Sequence, residues 1–135
     1  MARGVQHFGA FSADAAAGDV VITDAFQGVP QILSGSADAI NIYTSAGNNY
    51  VITSTGVDAT TLALPVLGVD DNLSVAIWSA SAHAHSVTLP SALLYAGGGA
   101  KTTATLAANI GAGILLRAWQ GTWQVVGSMG TVSYS

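Results

Sequence analysis

The sequence predicts an all-β fold, and three observations carry that expectation. Apolar residues recur at every second position over short stretches, the period of a half-buried strand. Turn-forming Gly, Asn, Asp and Pro interrupt these stretches at short intervals. The chain also has only three Lys or Arg and seven Asp in 135 residues, 7% charged, and no Glu. Helices rely on Glu, Lys and Arg for their exposed faces, so a mostly helical fold is nearly excluded. The expected architecture is a single-domain jelly-roll-like β-sandwich or small β-barrel of about eight to ten short, mostly antiparallel strands.

The elements follow in order. The small-residue stretch Ala13 to Gly18 has room for one helical turn, and Asp19 to Thr23 then alternates around Val20, Val21 and Ile22. Residues 1–18 read as an N-terminal arm or partly ordered segment, and residues 19–135 as the β-sandwich domain. Ala39 to Thr44 places Ile40 and Ile42 on one face, and Tyr50 to Ser54 follows after Ser45 to Asn49. That Gly/Asn-containing connection predicts a hairpin. Thr60, Leu62 and Leu64 share a face before Pro65 ends the strand. Leu73, Val75 and Ile77 share another after the turn Asp70-Asp71-Asn72. Further strands are expected at Ser86 to Leu89, Thr102 to Leu106, Ile114 to Trp119, Thr122 to Val126 and Thr131 to Tyr134. Thr61 to Pro65 and Ser86 to Pro90 both run apolar alternation into Leu-Pro. The similarity is short and reads as two strands ending alike, not as a repeat. Ala96 to Lys101, with three consecutive Gly, reads as the most flexible loop.

The C-terminal hairpin is the most informative segment. A two-residue loop at Gln120-Gly121 sets Trp119 opposite Thr122, Ala118 opposite Trp123, Arg117 opposite Gln124 and Leu116 opposite Val125. One face then holds Ile114, Leu116, Ala118, Trp123 and Val125, a continuous core stripe. The other holds Leu115, Arg117, Trp119, Thr122, Gln124 and Val126. A three-residue loop would instead place Arg117 on the face of both Trp119 and Trp123, burying a cation with no acid partner. Trp and Arg are enriched at interface hot spots, so Trp119, Arg117 and Leu115 are candidate partner-contact residues. The alternative is that this face packs on the second sheet.

Composition excludes several function classes. A net charge of −4 with three scattered cations does not suit a protein that neutralises several phosphates, so nucleic acid is not the expected partner. The absence of Cys removes disulfides, thiol catalysis and Cys-based zinc sites. Met1 to Phe11 lacks a continuous apolar stretch and does not read as a signal peptide. The longest uncharged run, Asn72 to Ala100, is too polar for a membrane helix. By contrast, 25 Ser plus Thr, 24 Ala and 16 Gly suit flat packing against copies or partners. A Thr-rich stable monomer is the alternative.

Chemistry-bearing constellations are sparse. His83 and His85 would project from one face of a strand and could offer two metal ligands, but nothing in the spacing joins a third. A pair of surface or half-buried polar residues is the simpler reading, and no metal or cofactor is expected. No Gly-x-Ser-x-Gly elbow accompanies the Ser, His and Asp present. Adjacent Asp70 and Asp71 would point to opposite faces of a strand or, in a turn, to water. Gly97 to Thr103 lacks the first Gly of a phosphate cradle at its spacing. The chain is therefore not expected to be an enzyme. A sugar-stacking platform is conceivable only around Trp119 and Trp78.

Several segments together resemble small β-structured proteins of tailed-bacteriophage particles. They are Leu62 to Pro65, Leu73 to Trp78, Ala84-His85-Ser86-Val87-Thr88, Ala96 to Ala100, and Gly121-Thr122-Trp123-Gln124-Val125. The stretch from Thr60 to Val126 is similar to capsid decoration, or cement, proteins, with looser similarity to phage tail-fibre and spike modules. The resemblance implies a non-enzymatic structural protein on the outer surface of the virion head, bridging neighbouring major capsid subunits and acting as a homodimer or homotrimer. From charge and composition, neither nucleic acid nor membrane is the expected partner. Flat Ser/Thr/Ala-rich faces suit that role, because weak contacts repeated over a closed lattice multiply by avidity. The N-terminal segment carries Phe8 and Phe11, which would add contacts if it orders on a neighbour; a frayed terminus is the alternative. A trimeric tail-fibre or spike module and a carbohydrate-binding jelly-roll remain the alternative functions.

Overall fold

The computed structural model describes residues 11–14, 19–22, 30–40, 42 and 48–135. The strands in chain order are β1 Phe11–Asp14, β2 Asp19–Ile22, β3 Gln31–Leu33, β4 Ala39–Ile40, β5 Asn49–Ile52, β6 Ala59–Leu62 and β7 Ser74–Ser79. They continue as β8 Ser86–Thr88, β9 Leu94–Tyr95, β10 Ala100–Lys101, β11 Thr103–Leu106, β12 Gly113–Trp119, β13 Thr122–Met129 and β14 Val132–Tyr134. Among the described residues there is no helix, so the all-β class holds.

Twelve of these strands form two mixed sheets. One has the order β10-β9-β13-β12-β7-β5-β3, the other β14-β11-β8-β6-β4. The expectation of mostly antiparallel strands fails. Five pairs in these sheets are antiparallel, and five are parallel: β3 with β5, β5 with β7, β4 with β6, β6 with β8, and β9 with β13. The strands are also more numerous than expected.

Four of the five parallel pairs, all but β9 with β13, have one cause. The chain passes from the seven-stranded to the five-stranded sheet three times in succession, β3 to β4, β5 to β6 and β7 to β8. Each passage is a rung with one strand in each sheet, and the rungs stack in the manner of a short solenoid. The connectivity in this half is thus not that of an antiparallel jelly-roll. It also corrects the expected hairpin over Ala39 to Ser54. β4 and β5 lie in different sheets: β4 pairs with β6 at a sheet edge, and β5 lies between β3 and β7. The two Leu-Pro segments are both strands and lie side by side. β6 and β8 are stacked neighbours, with Thr61 opposite Thr88. That register is offset from the Leu-Pro similarity by two positions, because Leu64 ends one segment and Leu89 the other.

The second half is mainly antiparallel. β12 pairs with β7 on one side and β13 on the other, in the expected register: Trp119 opposite Thr122, Ala118 opposite Trp123, Arg117 opposite Gln124 and Leu116 opposite Val125. Gln120 (φ 48°) and Gly121 (φ 75°) both adopt positive φ, the requirement of the type I′ turn that matches strand twist. The glycine run becomes a turn between the paired strands β9 and β10, with Gly97 and Gly99 at positive φ.

One core lies between the sheets. Tyr50, Ile52, Val75, Ile77, Leu94, Ile114, Leu116 and Trp123 enter it from the larger sheet, and Ile40, Leu62, Val87 and Leu106 from the smaller. The large apolar side chains bury fully, each stabilising by about 1.5–3 kcal/mol. The Trp123 indole N–H donates to the Ala63 carbonyl at 2.8 Å, which satisfies its polar atom and ties the hairpin to the end of β6.

At the other end of the chain, β1 pairs antiparallel with β2, with Asp14 opposite Asp19. The stretch Ala13 to Gly18 therefore begins in a strand. Its residues 15–18, and residues 1–10 of the expected arm, lie outside the described residues.

Candidate interaction face

Strand alternation gives the seven-stranded sheet an inner face for the core and an outer face. On the outer face Ile32 stands opposite Val51, Val51 opposite Trp78, Trp78 opposite Gly113, Ala76 opposite Leu115, and Ser74 opposite Arg117. This face is not covered by the second sheet. Trp119 and Val126 are each 58% exposed, Leu115 41% and Met129 40%. Arg117 is exposed beside them. Trp119, Arg117 and Leu115 thus share one open face, at the places their register predicted.

Two devices shape that face. Leu115 pairs with Gly127 but Leu116 with Val125, so Val126 is an extra residue in β13. Such a bulge increases local twist and turns its side chain outward. At the hairpin tip the Asp71 carboxylate accepts from the Gln120 backbone N–H at 2.7 Å and from its Nε2 at 2.8 Å. Asp70 accepts from the Val66 N–H at 2.6 Å. The adjacent acids therefore do not simply face water. They fix the β6–β7 loop and hold the turn that carries Trp119.

Beside Arg117 the face opens into a recess of about 360 Å³, lined by Asn48, Asn49, Ser74, Leu115 and Val126 among others. Arg117 makes no ion pair among the described residues, and no acid stands in any strand of this sheet. Among the described residues the Asn48 Oδ1 is buried without a hydrogen-bond partner. Such an acceptor costs about 1–3 kcal/mol until a donor reaches it. A second recess of about 380 Å³ is lined by Ile40, Leu62, Leu89 and Pro90, with only Thr61 and Thr88 hydroxyls to orient a ligand.

Trp78 lies on the same outer face and is half-buried. It sits opposite Gly113, six residues along β12 from Trp119. At about 3.3 Å per residue the two indoles attach roughly 20 Å apart, too far to grip one sugar ring. Sequence reasoning missed Met129 and Asn48 as parts of this face. Met129 packs over Gly113, where a Cβ would meet its Cε at 2.8 Å. The signal available was the length of β13, which runs three residues past the expected end at Val126. Phe8 lies outside the described residues, and Phe11 begins β1.

His83 and His85 are not on a strand. They stand in the loop between β7 and β8, with their rings edge to face and 6.2 Å apart. His85 is fully buried and belongs to a polar ladder at the corners of the stacked rungs. Asp38, Asp58 and His85 each immediately precede the second strand of a rung. The Asp38 N–H donates to Asp58 Oδ1, and the Asp58 N–H donates to His85 Nδ1, each at 3.1 Å. Thr60 donates to the other Asp58 oxygen at 2.9 Å. Because His85 Nδ1 accepts a backbone N–H, its proton sits on Nε2 and is given to Ser81 Oγ at 2.8 Å. In that tautomer the imidazole has no lone pair for the Ser81 proton, so the pair lacks the general-base arrangement of a serine nucleophile. Burial pushes the His85 pKa below its ordinary 6.5, against the opposing pull of the Asp58 carboxylate; the nearby His83 adds to the depression. Among the described residues no group of three or more His or Asp is placed to hold a metal ion.

No protein-family model matches the chain, and no curated protein matches it. Among solved structures, one described as "Structure of a chaperone-substrate complex" aligns with 88% of this chain at 19% identity and a TM-score of 0.40. The chain spans 21% of that protein's length.

Proposed function

We propose that this chain is a structural virion protein of a tailed bacteriophage. It decorates the outer surface of the head and bridges neighbouring major capsid subunits through the open face of its larger sheet. The observation that carries the reading is the outward display of Trp119, Leu115 and Val126 around Arg117, on a hairpin clamped at its tip by Asp71. A rigid face loses little conformational entropy on docking, so each contact yields more net affinity. A decoration protein needs only a modest contact per copy, because the lattice repeats it. The resemblance over Thr60 to Val126 and the Ser/Thr/Ala-rich composition support the same reading. In this proposal the protein acts as a homodimer or homotrimer on the virion surface, without enzymatic activity or cofactor, and with neither nucleic acid nor membrane as partner.

The test is addition of purified protein to expanded phage capsids that lack a decoration protein. Stoichiometric binding, with a gain in particle heat stability, is expected of the parent. Trp119→Ala should fold yet lose occupancy, since truncating a buried interface Trp typically removes about 2 kcal/mol or more. Failure of the parent to bind any such capsid would remove the proposal. Adhesion instead to cell-surface glycan, dependent on Trp119, would favour a tail-fibre or carbohydrate-binding role.

A further inference from the structure

We infer that this chain pairs with a second copy of itself by seating an exposed apolar turn, Val66 to Val69, in its neighbour's recess lined by Ile40, Leu62, Leu89 and Pro90. The inference rests on the proposed oligomer and names the contact that holds it. Both halves of the contact are present in the one chain. In the β6–β7 loop Val66 is 49% exposed, Leu67 64% and Val69 74%. Three large apolar side chains displayed together mark a contact surface, where single exposed ones would not. The turn is also held in place. Gly68 supplies the positive φ (73°), and the Val69 and Asp70 N–H groups donate to the Val66 carbonyl at 3.1 and 3.0 Å. The Asp70 carboxylate accepts the Val66 N–H, so both backbone polar groups of Val66 are satisfied before any partner covers them. Leu67 packs beside Gly121, where an added Cβ would stand 3.6 Å from its own, and Asp71 ties the loop to Gln120. So held, Leu67 does not line the recess of its own chain, and the turn loses little freedom on docking.

The recess lies where the parallel strands β4, β6 and β8 end, and its volume is about 380 Å³. Ile40, Leu62 and Leu89 form a buried floor, with Ala39, Ala63 and Pro90 as an exposed rim. None of the described residues that line it is charged, and neither is any residue from Val66 to Val69. An aliphatic side chain entering it leaves no charge unpaired, whereas an ionic group would be desolvated without compensation. The closeness of the two features selects the symmetry. Ala63 on the rim and Val66 in the turn are three residues apart, a reach of at most about 11 Å. With knob and hole side by side on one surface, a single two-fold rotation seats both knobs at once, which is the isologous contact of a closed dimer.

The experiment follows the full chain by sedimentation equilibrium over a concentration series, beside Leu67→Ala, Leu67→Asp and Ala39→Trp. The parent is expected as a dimer. Leu67→Ala should weaken association about tenfold, as truncating an interface anchor does, and Leu67→Asp, which would bury an unpaired carboxylate, should leave monomer. Ala39→Trp fills the recess from its rim and should also leave monomer. Positions 67 and 39 are both exposed, so the variants should melt like the parent. Because the chain has no Cys, tagged Leu67→Cys and untagged Ala39→Cys are mixed and oxidised. A disulfide between tagged and untagged chains is expected, since the turn and the rim meet within the reach of that bond. A parent that stays monomeric at every concentration would overturn the inference. So would a dimer that persists in both Leu67→Asp and Ala39→Trp, or a disulfide formed only between two Leu67→Cys chains. Capsid addition is measured separately. A parent dimer that binds no capsid loses only the virion reading, and a monomeric parent that decorates capsids loses only this self-contact.

Discussion

The rung half of the molecule, β3 to β8, and the hairpin half, built on β12 and β13, solve the same problem by different physics. In the hairpin half, partners are neighbours in sequence, and a type I′ turn sets the register locally. In the rung half, partners stand about twenty to thirty residues apart, and register must be set at long range. The corner ladder from Asp38 through Asp58 to His85 does this. The Asp58 and His85 side chains each accept the backbone N–H of the preceding rung's corner, so a slip of one residue would orphan buried polar groups. A local turn needs Gly and little else, whereas a long-range register needs buried polar residues of defined geometry.

The comparison can be broken at either half. The largest effect is expected from Trp123→Ala, which empties the centre of the core and frees the Ala63 carbonyl. It should cost about 3–5 kcal/mol in urea denaturation. A loss below about 1 kcal/mol, the level of a surface site, would place the shared core elsewhere.

The ladder comes next. His85→Ala removes a buried ring and leaves the Asp58 N–H and the Ser81 hydroxyl unpartnered, for a loss of about 2–4 kcal/mol. Hydrogen exchange should quicken in β4, β6 and β8 before it does in β12 and β13. Uniform quickening would mean that the two halves unfold as one unit. The parent should also weaken in acid. Because the His85 pKa is lowered in the folded protein, the unfolded chain binds the extra proton between that value and 6.5. His85's contribution is complete above pH 6.5 and is lost as pH falls through that window. Denaturation midpoints at pH 7.5 and below 6 should differ more in the parent than in His85→Ala.

The turn is a smaller lever. Gly121→Ala places a Cβ at φ 75° and should cost about 1–2 kcal/mol. Gly56→Ala, at ordinary φ with open space around it, should change stability by less than about 0.5 kcal/mol. Similar losses at both sites would show that turn conformation is not what sets the hairpin. The smallest folding effect is expected at Trp119→Ala, within about 0.5 kcal/mol, because its side chain faces solvent. Unfolding by this variant would invert the two faces of β12.

The sequence by itself determined the class, most strand positions and the hairpin register. Alternation and turn residues act over a few positions, and the cost of burying Arg117 selects one loop length. It therefore also determined that Trp119, Arg117 and Leu115 share a face opposite Trp123. Only the tertiary structure decided that this face stays open, since exposure depends on where the second sheet lies. Only it decided that Ala39 and Asn49 begin strands of different sheets, because a Gly/Asn-rich connection suits a crossover as well as a hairpin. The role of His85 was equally hidden. Two histidines in a Ser/Ala-rich stretch look like a surface pair until the rungs stack and bring Asp58, 27 residues away in sequence, against the ring. Pairing between distant rungs is a property of the assembled sheets, and no local spacing encodes it.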